Sequence, residues 1–290
     1  YCLKTDIHYV VTGSSGGLDS AITLGLAQRA CELIKELRAR FDLTSVGLIM
    51  PIHSDLKAEV LGRQAIKRFG AEEIKIDLFN IFKTIMEENF NQTNFQIRTL
   101  LAKTGGGKQL AEFNWSEIIA QGNIRARLRM MLGTYHVARM LKGMVLSTDD
   151  LSELWMGFWT ICGDVGDFAM IQQVLKGTEL YDLARYLDVP IDIINAKPDD
   201  GLGIAGGDED QLGAPYKVVD NIMIRLIQKG FNPDIKYEDF LLENLPDIGY
   251  PKELVQRIAR RTLSSAFKRR GTVVLSRDDL GLIPIENIKT

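Results

Sequence analysis

The feature that most constrains the fold is a short apolar run that leads through a glycine-rich loop into a long amphipathic stretch. The run HYVVTG (8–13) is rich in β-branched residues and ends at glycine, which predicts a buried strand. The loop SSGGLDS (14–20) follows, and apolar residues then recur at helical spacing. A strand that enters a helix through such a loop directs backbone N–H groups and the positive end of the helix dipole at one point. The junction therefore predicts an anion site.

The residues of this loop favour a nucleotide bound with a metal ion. Gly16 and Gly17 let the backbone approach an anion closely, and the hydroxyls of Ser15 and Ser20 can donate to phosphate oxygens. Asp19 suits such a site only if a divalent cation lies between its carboxylate and the phosphates. The loop has neither the lysine of a Walker loop nor the glycine spacing of a dinucleotide fingerprint. The sequence predicts Mg²⁺ with ATP, and the alternative is a tight turn with Asp19 as a helix cap.

Further apolar runs indicate the fold class. TSVGLIMP (44–51), EEIKIDL (72–78) and GMVLST (143–148) each have the character of a strand and alternate with helical patterns. Alternation of this kind predicts right-handed βαβ units, and hence an α/β fold with a doubly wound parallel sheet and helices on both faces. The length of 290 residues favours one domain over 1–290, with a small C-terminal helical region over 216–290.

Two glycine-rich stretches interrupt the helical patterns. KTGGGKQL (103–110) lacks the spacing of a Walker motif, so we expect a flexible loop there. The stretch from 197 to 215 is long and acidic for a simple connection, which predicts a mobile lid.

Composition excludes several classes of function. The net charge of −3 gives no overall attraction to nucleic acid, and no apolar run approaches the length of a bilayer span. The three cysteines are an odd number without paired spacing, which favours a reducing, cytoplasmic setting. The three histidines are scattered, which argues against a histidine metal site.

The motifs resemble those of a known family. SSGGLDS resembles the SGGxDS loop of the N-type ATP pyrophosphatases, which adenylate a substrate oxygen and then admit a nitrogen or sulfur nucleophile. Later stretches resemble the blocks of the NAD synthetases within that group, in family order: QGNIRARLRM (121–130), STDDLSELWMGFWTICGDVGDF (147–168), Lys176, KPDDGL (197–202) with GDEDQLG (207–213), and AFKRRG (266–271).

The resemblance implies an adenine nucleotide alpha hydrolase-like, Rossmann-like fold and a ligase that forms a carbon–nitrogen bond. The implied reaction amidates deamido-NAD to NAD through an acyl adenylate, with ATP and ammonia consumed and AMP and pyrophosphate released. The resemblance also implies a homodimer. No Cys–His nucleophile pair is evident, so we expect any glutaminase in a preceding segment or a separate subunit. The alternatives are an ATP pyrophosphatase with another amidation or tRNA substrate, and a nucleotide-binding protein without catalysis.

Roles for individual residues follow from the same resemblance. It assigns catalysis to Asp19, Arg127 and Lys176; ATP binding to Ser15, Gly16, Gly17, Asp19, Ser20, Arg127, Thr148 and Lys176; Mg²⁺ to Asp19 and Glu153; and the dinucleotide to Phe158, Trp159, Asp164 and Lys268. Asp199 stands where the family usually has serine or threonine, and we expect its carboxylate to be a further Mg²⁺ ligand. Simpler explanations stay open for some of them. Thr148 can be a helix N-cap, Lys176 an ordinary lysine beside a helix, and the two aromatic residues a buried pair.

Overall fold

A computed structural model describes residues 1–37, 41–52, 56–163, 165–198, 207–235, 239–271, 276–277 and 279–282. The strands are β1 (Tyr9–Gly13), β2 (Thr44–Ile49), β3 (Glu72–Lys75), β4 (Met144–Ser147) and β5 (Phe168–Ala169). The α-helices are α1 (Cys2–Thr5), α2 (Leu18–Leu37), α3 (Leu56–Phe69), α4 (Phe79–Thr84), α5 (Asn91–Thr104), α6 (Gly107–Ala111), α7 (Phe113–Leu128), α8 (Tyr135–Leu141), α9 (Leu151–Met156), α10 (Tyr181–Tyr186), α11 (Ile191–Ile194), α12 (Asp208–Leu212), α13 (Tyr216–Gln228), α14 (Asp239–Glu243), α15 (Lys252–Ser264) and α16 (Ala266–Arg269). Turns of π-helix occupy Ile85–Phe90, Arg129–Thr134 and Lys176–Leu180.

The strands form a parallel sheet in the order β3-β2-β1-β4-β5. The chain moves from β1 to one side through β2 and β3, and then to the other side through β4 and β5. Where the order reverses, the loops that follow β1 and β4 diverge and leave a crevice at the carboxyl edge of the sheet. The predicted doubly wound parallel sheet is confirmed, and its switch point lies beside the glycine-rich loop.

Helices cover both faces of the sheet. On β1, Val10 packs in a cluster with Ala27 of α2, whereas Val11 packs with Val137 and Ala138 of α8 on the opposite face. These alternating, fully apolar contacts explain why the central strands have continuous hydrophobic sequences. A separate cluster joins α9, α13 and α15 through residues such as Met156, Ile222 and Ile258.

The two predicted glycine-rich segments have regular structure in part. Within 103–110, only Gly105 and Gly106 lie between α5 and α6, and Gly105 ends α5 in a left-handed conformation with φ of 76°. The expected loop is therefore shorter than predicted. In the expected lid, residues 199–206 lie outside the described residues, and α12 with the turn after it occupies most of the remainder.

The described part of the C-terminal region is mostly helical. Helices α13 to α16 cover most of residues 216–271, whereas most residues after 271 lie outside the description. Among the described helices, none has both the length and the apolar content needed to cross a bilayer.

Candidate functional site

The glycine-rich loop after β1 is held closely against α3. Gly16 has φ of 86°, and a Cβ atom there would lie 2.4 Å from the carbonyl oxygen of Ala58. The hydroxyl of Ser14 donates to the carbonyl oxygen of Gly62 at 3.0 Å, on the next turn of the same helix. Position 16 therefore requires glycine for both its backbone conformation and its close approach to a neighbour.

The serines of the loop bond to each other and to the loop backbone. The hydroxyls of Ser15 and Ser20 are 3.2 Å apart, and the backbone N–H of Gly17 donates to the Ser15 hydroxyl at 3.3 Å. The Ser20 hydroxyl donates to the carbonyl oxygen of Gly17 at 3.0 Å. The predicted phosphate ligands are thus brought together at the start of α2, where the helix dipole favours an anion.

Lys176 lies at the centre of three carboxylates beside this loop. Its Nζ atom is 3.0 Å from Asp19 Oδ2 and 3.3 Å from Asp150 Oδ2, and it donates a short hydrogen bond to Glu153 Oε1. The side chain of Lys176 is 4% exposed, so this is a buried ion cluster and not a surface pair. The cluster joins α2, α9 and the π-helical turn that starts at Lys176. Three predicted site residues therefore meet, although Asp19 is 157 positions from Lys176 in sequence.

Asp150 is a site residue that the sequence reasoning missed. It is the N-cap of α9, with Oδ1 accepting from the backbone N–H of Glu153 at 2.9 Å and Glu153 Oε2 accepting from the N–H of Asp150. The Asp-x-x-Glu spacing after β4, which is typical of a capping box, could have indicated Asp150 from the sequence. Because the box folds Glu153 back towards the cap, both carboxylates lie in the cluster. The N-cap is Asp150, so the alternative explanation of Thr148 as the cap is wrong.

The cluster holds three acidic groups and one basic group. Burial raises the pKa of Asp150 to about 7, and it raises the pKa of Glu153 well above its ordinary value with added repulsion from Asp150. Burial alone would lower the pKa of the Lys176 ammonium, but its attraction to Asp19, Glu153 and Asp150 raises the pKa well above the usual value. Such a site favours an additional cation.

The donor set of the cluster fits Mg²⁺. One carboxylate oxygen from each of Asp19, Asp150 and Glu153 lies within 4.8 Å of the others. Asp19 Oδ1 is buried and has no hydrogen-bond partner among the described residues, which leaves an acceptor for a cation. Hard oxygen ligands next to a phosphate site are the usual environment of Mg²⁺. Asp199, the third predicted ligand, lies outside the described residues.

The predicted aromatic residues follow α9 in a loop held by the C-terminal helices. The guanidinium of Arg261 lies 4.0 Å from the centre of the Phe158 ring. Lys268 Nζ donates to the carbonyl oxygens of Gly157 at 2.7 Å and Trp159 at 2.5 Å. Lys268 thus fixes the backbone of this loop. Trp159 Nε1 is buried and has no hydrogen-bond partner among the described residues.

The remaining predicted residues are distributed around the cluster. Thr148 follows β4 directly and is half-buried. Arg127 is exposed on α7, and its Nε atom donates to the carbonyl oxygen of Ile161 at 3.2 Å, so it contacts the aromatic loop. Asp164 lies outside the described residues.

A parallel sheet with a glycine-rich loop after its central strand, and an acidic cluster with one lysine beside that loop, agrees with the resemblance to the ATP pyrophosphatases, a class of ATP-dependent enzymes. The sequence model of the family described as NAD synthase matches residues 1–272. The chain therefore belongs to the NAD synthase family, and it is a ligase that forms a carbon–nitrogen bond.

Individual relatives agree with this assignment. The chain is 32% identical over 276 residues to the NH(3)-dependent NAD(+) synthetase of Pyrococcus furiosus, covering 95% of this chain and 91% of the relative. It is 32% identical over 214 residues to the enzyme of the same name from Alkaliphilus oremlandii, covering 74% and 76%.

Solved structures share the fold. The structure of NMN synthetase from Francisella tularensis matches with a TM-score of 0.64 at 24% identity, covering 95% of this chain and 91% of that one. The NH3-dependent NAD synthetase of Campylobacter jejuni matches with a TM-score of 0.63 at 23% identity, covering 95% and 93%. At this identity the two structures support the fold.

Proposed function

We propose that the chain converts deamido-NAD to NAD, with ATP as the activating substrate and ammonia as the nitrogen donor. The observation that carries this proposal is the buried cluster of Lys176 with three carboxylates next to the glycine-rich loop. Membership of the NAD synthase family and two relatives named for dependence on NH3 support the choice of acceptor and donor.

The chemistry requires activation of a carboxylate before amidation. Direct attack of ammonia on a carboxylate would have to expel oxide, which is a very poor leaving group. In the proposed reaction the carboxylate oxygen of deamido-NAD attacks the α-phosphorus of ATP, and pyrophosphate leaves. Ammonia then attacks the acyl carbon and AMP departs with the former carboxylate oxygen. The protein contributes chiefly by positioning the reactants and stabilising the charge that develops.

The residues of the loop and cluster bind and polarise the triphosphate. Ser15, Ser20 and the backbone at Gly16 and Gly17 hold phosphate oxygens at the start of α2. Mg²⁺ held by Asp19, Asp150 and Glu153 would neutralise charge on the triphosphate and on the leaving pyrophosphate. Asp199 remains a proposed ligand from the sequence.

Three further residues complete the proposed ATP site. Lys176 is already protonated and buried within the cluster, so it is suited to stabilise negative charge on the α-phosphate. Thr148 borders the same edge of the sheet, and Arg127 is the proposed second cation for the phosphates.

The aromatic loop is the proposed contact for the pyridine half of the dinucleotide. Phe158 and Trp159 offer flat apolar surfaces, and the indole N–H of Trp159, which has no hydrogen-bond partner within the described part of the chain, offers a donor. Lys268 acts by holding this loop, and Asp164 is proposed to orient the pyridine carboxylate or the arriving ammonia. A closed segment over 197–215 would exclude water from the adenylate.

A second copy of the chain is the proposed partner. Helices α5 and α7 are joined by an ion pair between Arg98 and Glu117 at 3.1 Å. They expose large apolar side chains that a homodimer would cover, namely Phe95, Leu100, Trp115 and Ile118. If glutamine is the physiological source of ammonia, the glutaminase is proposed to lie upstream or in another subunit. The three cysteines are free, which agrees with the proposed reducing, cytoplasmic compartment.

The test supplies ATP, Mg²⁺ and deamido-NAD with either ammonium or glutamine, and measures NAD, AMP and pyrophosphate. We expect NAD with ammonium, in equal amounts to AMP and pyrophosphate. Asp19→Ala should abolish the reaction, whereas Asp182→Ala, which removes an exposed carboxylate, should not. A parallel reaction with nicotinic acid mononucleotide tests the acceptor. Absence of pyrophosphate and NAD with both nitrogen donors would contradict the proposed function.

A further inference from the structure

We infer that Asp220, a fully buried carboxylate on α13, is a positioning residue that fixes the backbone from which Lys176 reaches the carboxylate cluster. The inference rests on the role proposed above for Lys176. Asp220 lies outside the motifs that the sequence singled out. It has 0% exposure, and each of its two carboxylate oxygens accepts a separate hydrogen bond.

The two bonds of Asp220 converge on the start of the π-helical turn that begins at Lys176. Asp220 Oδ2 accepts from the backbone N–H of Gly177 at 2.8 Å, and Oδ1 accepts from the Ser152 hydroxyl at 2.5 Å. The Ser152 oxygen in turn accepts from the backbone N–H of Lys176 at 2.9 Å. The first N–H groups of a helix have no partners within it, so Asp220 and Ser152 together satisfy two of these donors.

Close packing adds a second constraint on the same backbone. A Cβ atom at Gly177 would lie 2.2 Å from the backbone nitrogen of Lys217, so the turn is pressed directly against the first turn of α13. Tyr216, also in that turn, places its ring 5.0 Å from Lys176 Nζ. Asp220 and Tyr216 therefore hold the backbone and the ammonium of Lys176 from one helix.

The chemistry of the two donors explains why a carboxylate stands at this position. A hydroxyl and a backbone N–H both donate, and an ionised carboxylate is the side chain that accepts at both oxygens. Asparagine has nearly the same shape, but it would present an NH₂ donor to one of them. Asp220→Asn therefore keeps the volume and disturbs one of the two bonds.

The consequence for catalysis follows from the geometry of the ammonium. Lys176 Nζ contacts oxygens of three carboxylates, two of them 3.0 and 3.3 Å away, so a displacement of its backbone moves it relative to all of them. Misplacement of a catalytic group by about 1 Å can reduce a rate by about 100-fold. Because Lys176 is proposed to act on charge that develops during the reaction, the loss should fall on kcat and leave the KM for ATP largely unchanged.

The test is a double-mutant cycle on the full chain, with pyrophosphate release followed from radiolabelled ATP so that low rates can be measured. Asp220→Asn and Ser152→Ala should each lower kcat by about 10- to 100-fold. In a Lys176→Met background, neither change should lower kcat further, because residues that act through one group are not additive. Ser152→Ala is the smaller change and serves if Asp220→Asn does not fold.

A matched control separates positioning from general loss of stability. Thr262→Val removes a fully buried hydroxyl whose hydrogen bonds go to the carbonyl oxygen of Ile258 and the sulfur of Met223 in the core that α15 shares with α13. We expect it to lower the melting temperature but not kcat.

Two outcomes would overturn the inference: an unchanged kcat in Asp220→Asn and Ser152→Ala, or an equal further loss in the Lys176→Met background. An unchanged kcat in Lys176→Met alone would instead refute the proposed role of Lys176.

Discussion

Lys176→Met should destabilise the metal-free protein and increase the thermal stabilisation that Mg²⁺ provides. The substitution keeps a long side chain but removes the ammonium that contacts Asp19, Asp150 and Glu153. Removal of one partner from a buried ion pair costs about 3–5 kcal/mol, because the remaining charge is left uncompensated. At about 1.6 °C per kcal/mol for a chain of this size, the melting temperature should fall by about 5–8 °C.

Protonation sets a limit to this loss. Burial already raises the pKa of Asp150 to about 7, so in the variant a carboxyl can take up a proton and reduce the repulsion. The destabilisation should therefore be larger at pH 8 than at pH 6. This dependence distinguishes lost charge compensation from a simple loss of packing.

The assay is thermal denaturation of wild type and Lys176→Met, with and without Mg²⁺. Bound at 100 times its dissociation constant, a ligand stabilises the native state by about 2.7 kcal/mol. Mg²⁺ should stabilise the variant more than the wild type, since no ammonium competes for the carboxylates. The control is Lys103→Met, which removes an exposed lysine. It should change neither the melting temperature nor the stabilisation by Mg²⁺. A melting temperature unchanged in Lys176→Met, or equal stabilisation of both proteins by Mg²⁺, would refute this reasoning.

Three further predictions address the loop, the metal and the dinucleotide. Gly16→Ala should raise the KM for ATP at least about 10-fold, because the added Cβ would lie 2.4 Å from the carbonyl oxygen of Ala58. The control is Gly107→Ala, whose added Cβ meets nothing within 4 Å and should leave this KM unchanged. Equal KM values in the two variants would contradict the loop geometry. Binding of Mn²⁺ as a probe, followed by electron paramagnetic resonance, should weaken as pH falls below about 7, because Asp150 must lose its proton to bind; affinity that is constant from pH 6 to 8 would argue against its role. If the Trp159 ring stacks on the pyridine, Trp159→Ala should raise the KM for deamido-NAD about 10-fold and leave the KM for ATP nearly unchanged. A rise in the KM for ATP alone would contradict a contact between Trp159 and the pyridine.

Local patterns predicted most of the sheet and part of the site. The β-branched run at β1, the turn that follows it and the helical spacing of α2 agree with each other, so this junction could be recognised from about 30 residues. Strand β5 was not predicted, because Phe168–Ala169 is too short to show a period. The strand is specified by its pairing with Leu146 and Ser147 of β4, which local sequence cannot reveal.

Side chains brought together over long distances were harder to predict. Asp19, Glu153 and Lys176 were selected because motifs marked them, and the structure brings all three together. Asp150 stands among other polar residues after β4, and its role depends on the capping box that turns one oxygen to the helix and the other to Lys176. Asp220 is 44 positions beyond Lys176, and only the packing of α13 shows the connection.

The most direct test of the central claim follows the oxygen that deamido-NAD loses. Deamido-NAD labelled with ¹⁸O in its pyridine carboxylate is incubated with ATP, Mg²⁺ and ammonium, and the products are analysed by mass spectrometry. Activation by adenylation predicts one ¹⁸O atom in AMP, none in pyrophosphate, and NAD that retains the other labelled oxygen in its amide. Label in orthophosphate with ADP as the nucleotide product, or AMP without label, would contradict adenylation of the carboxylate by this site.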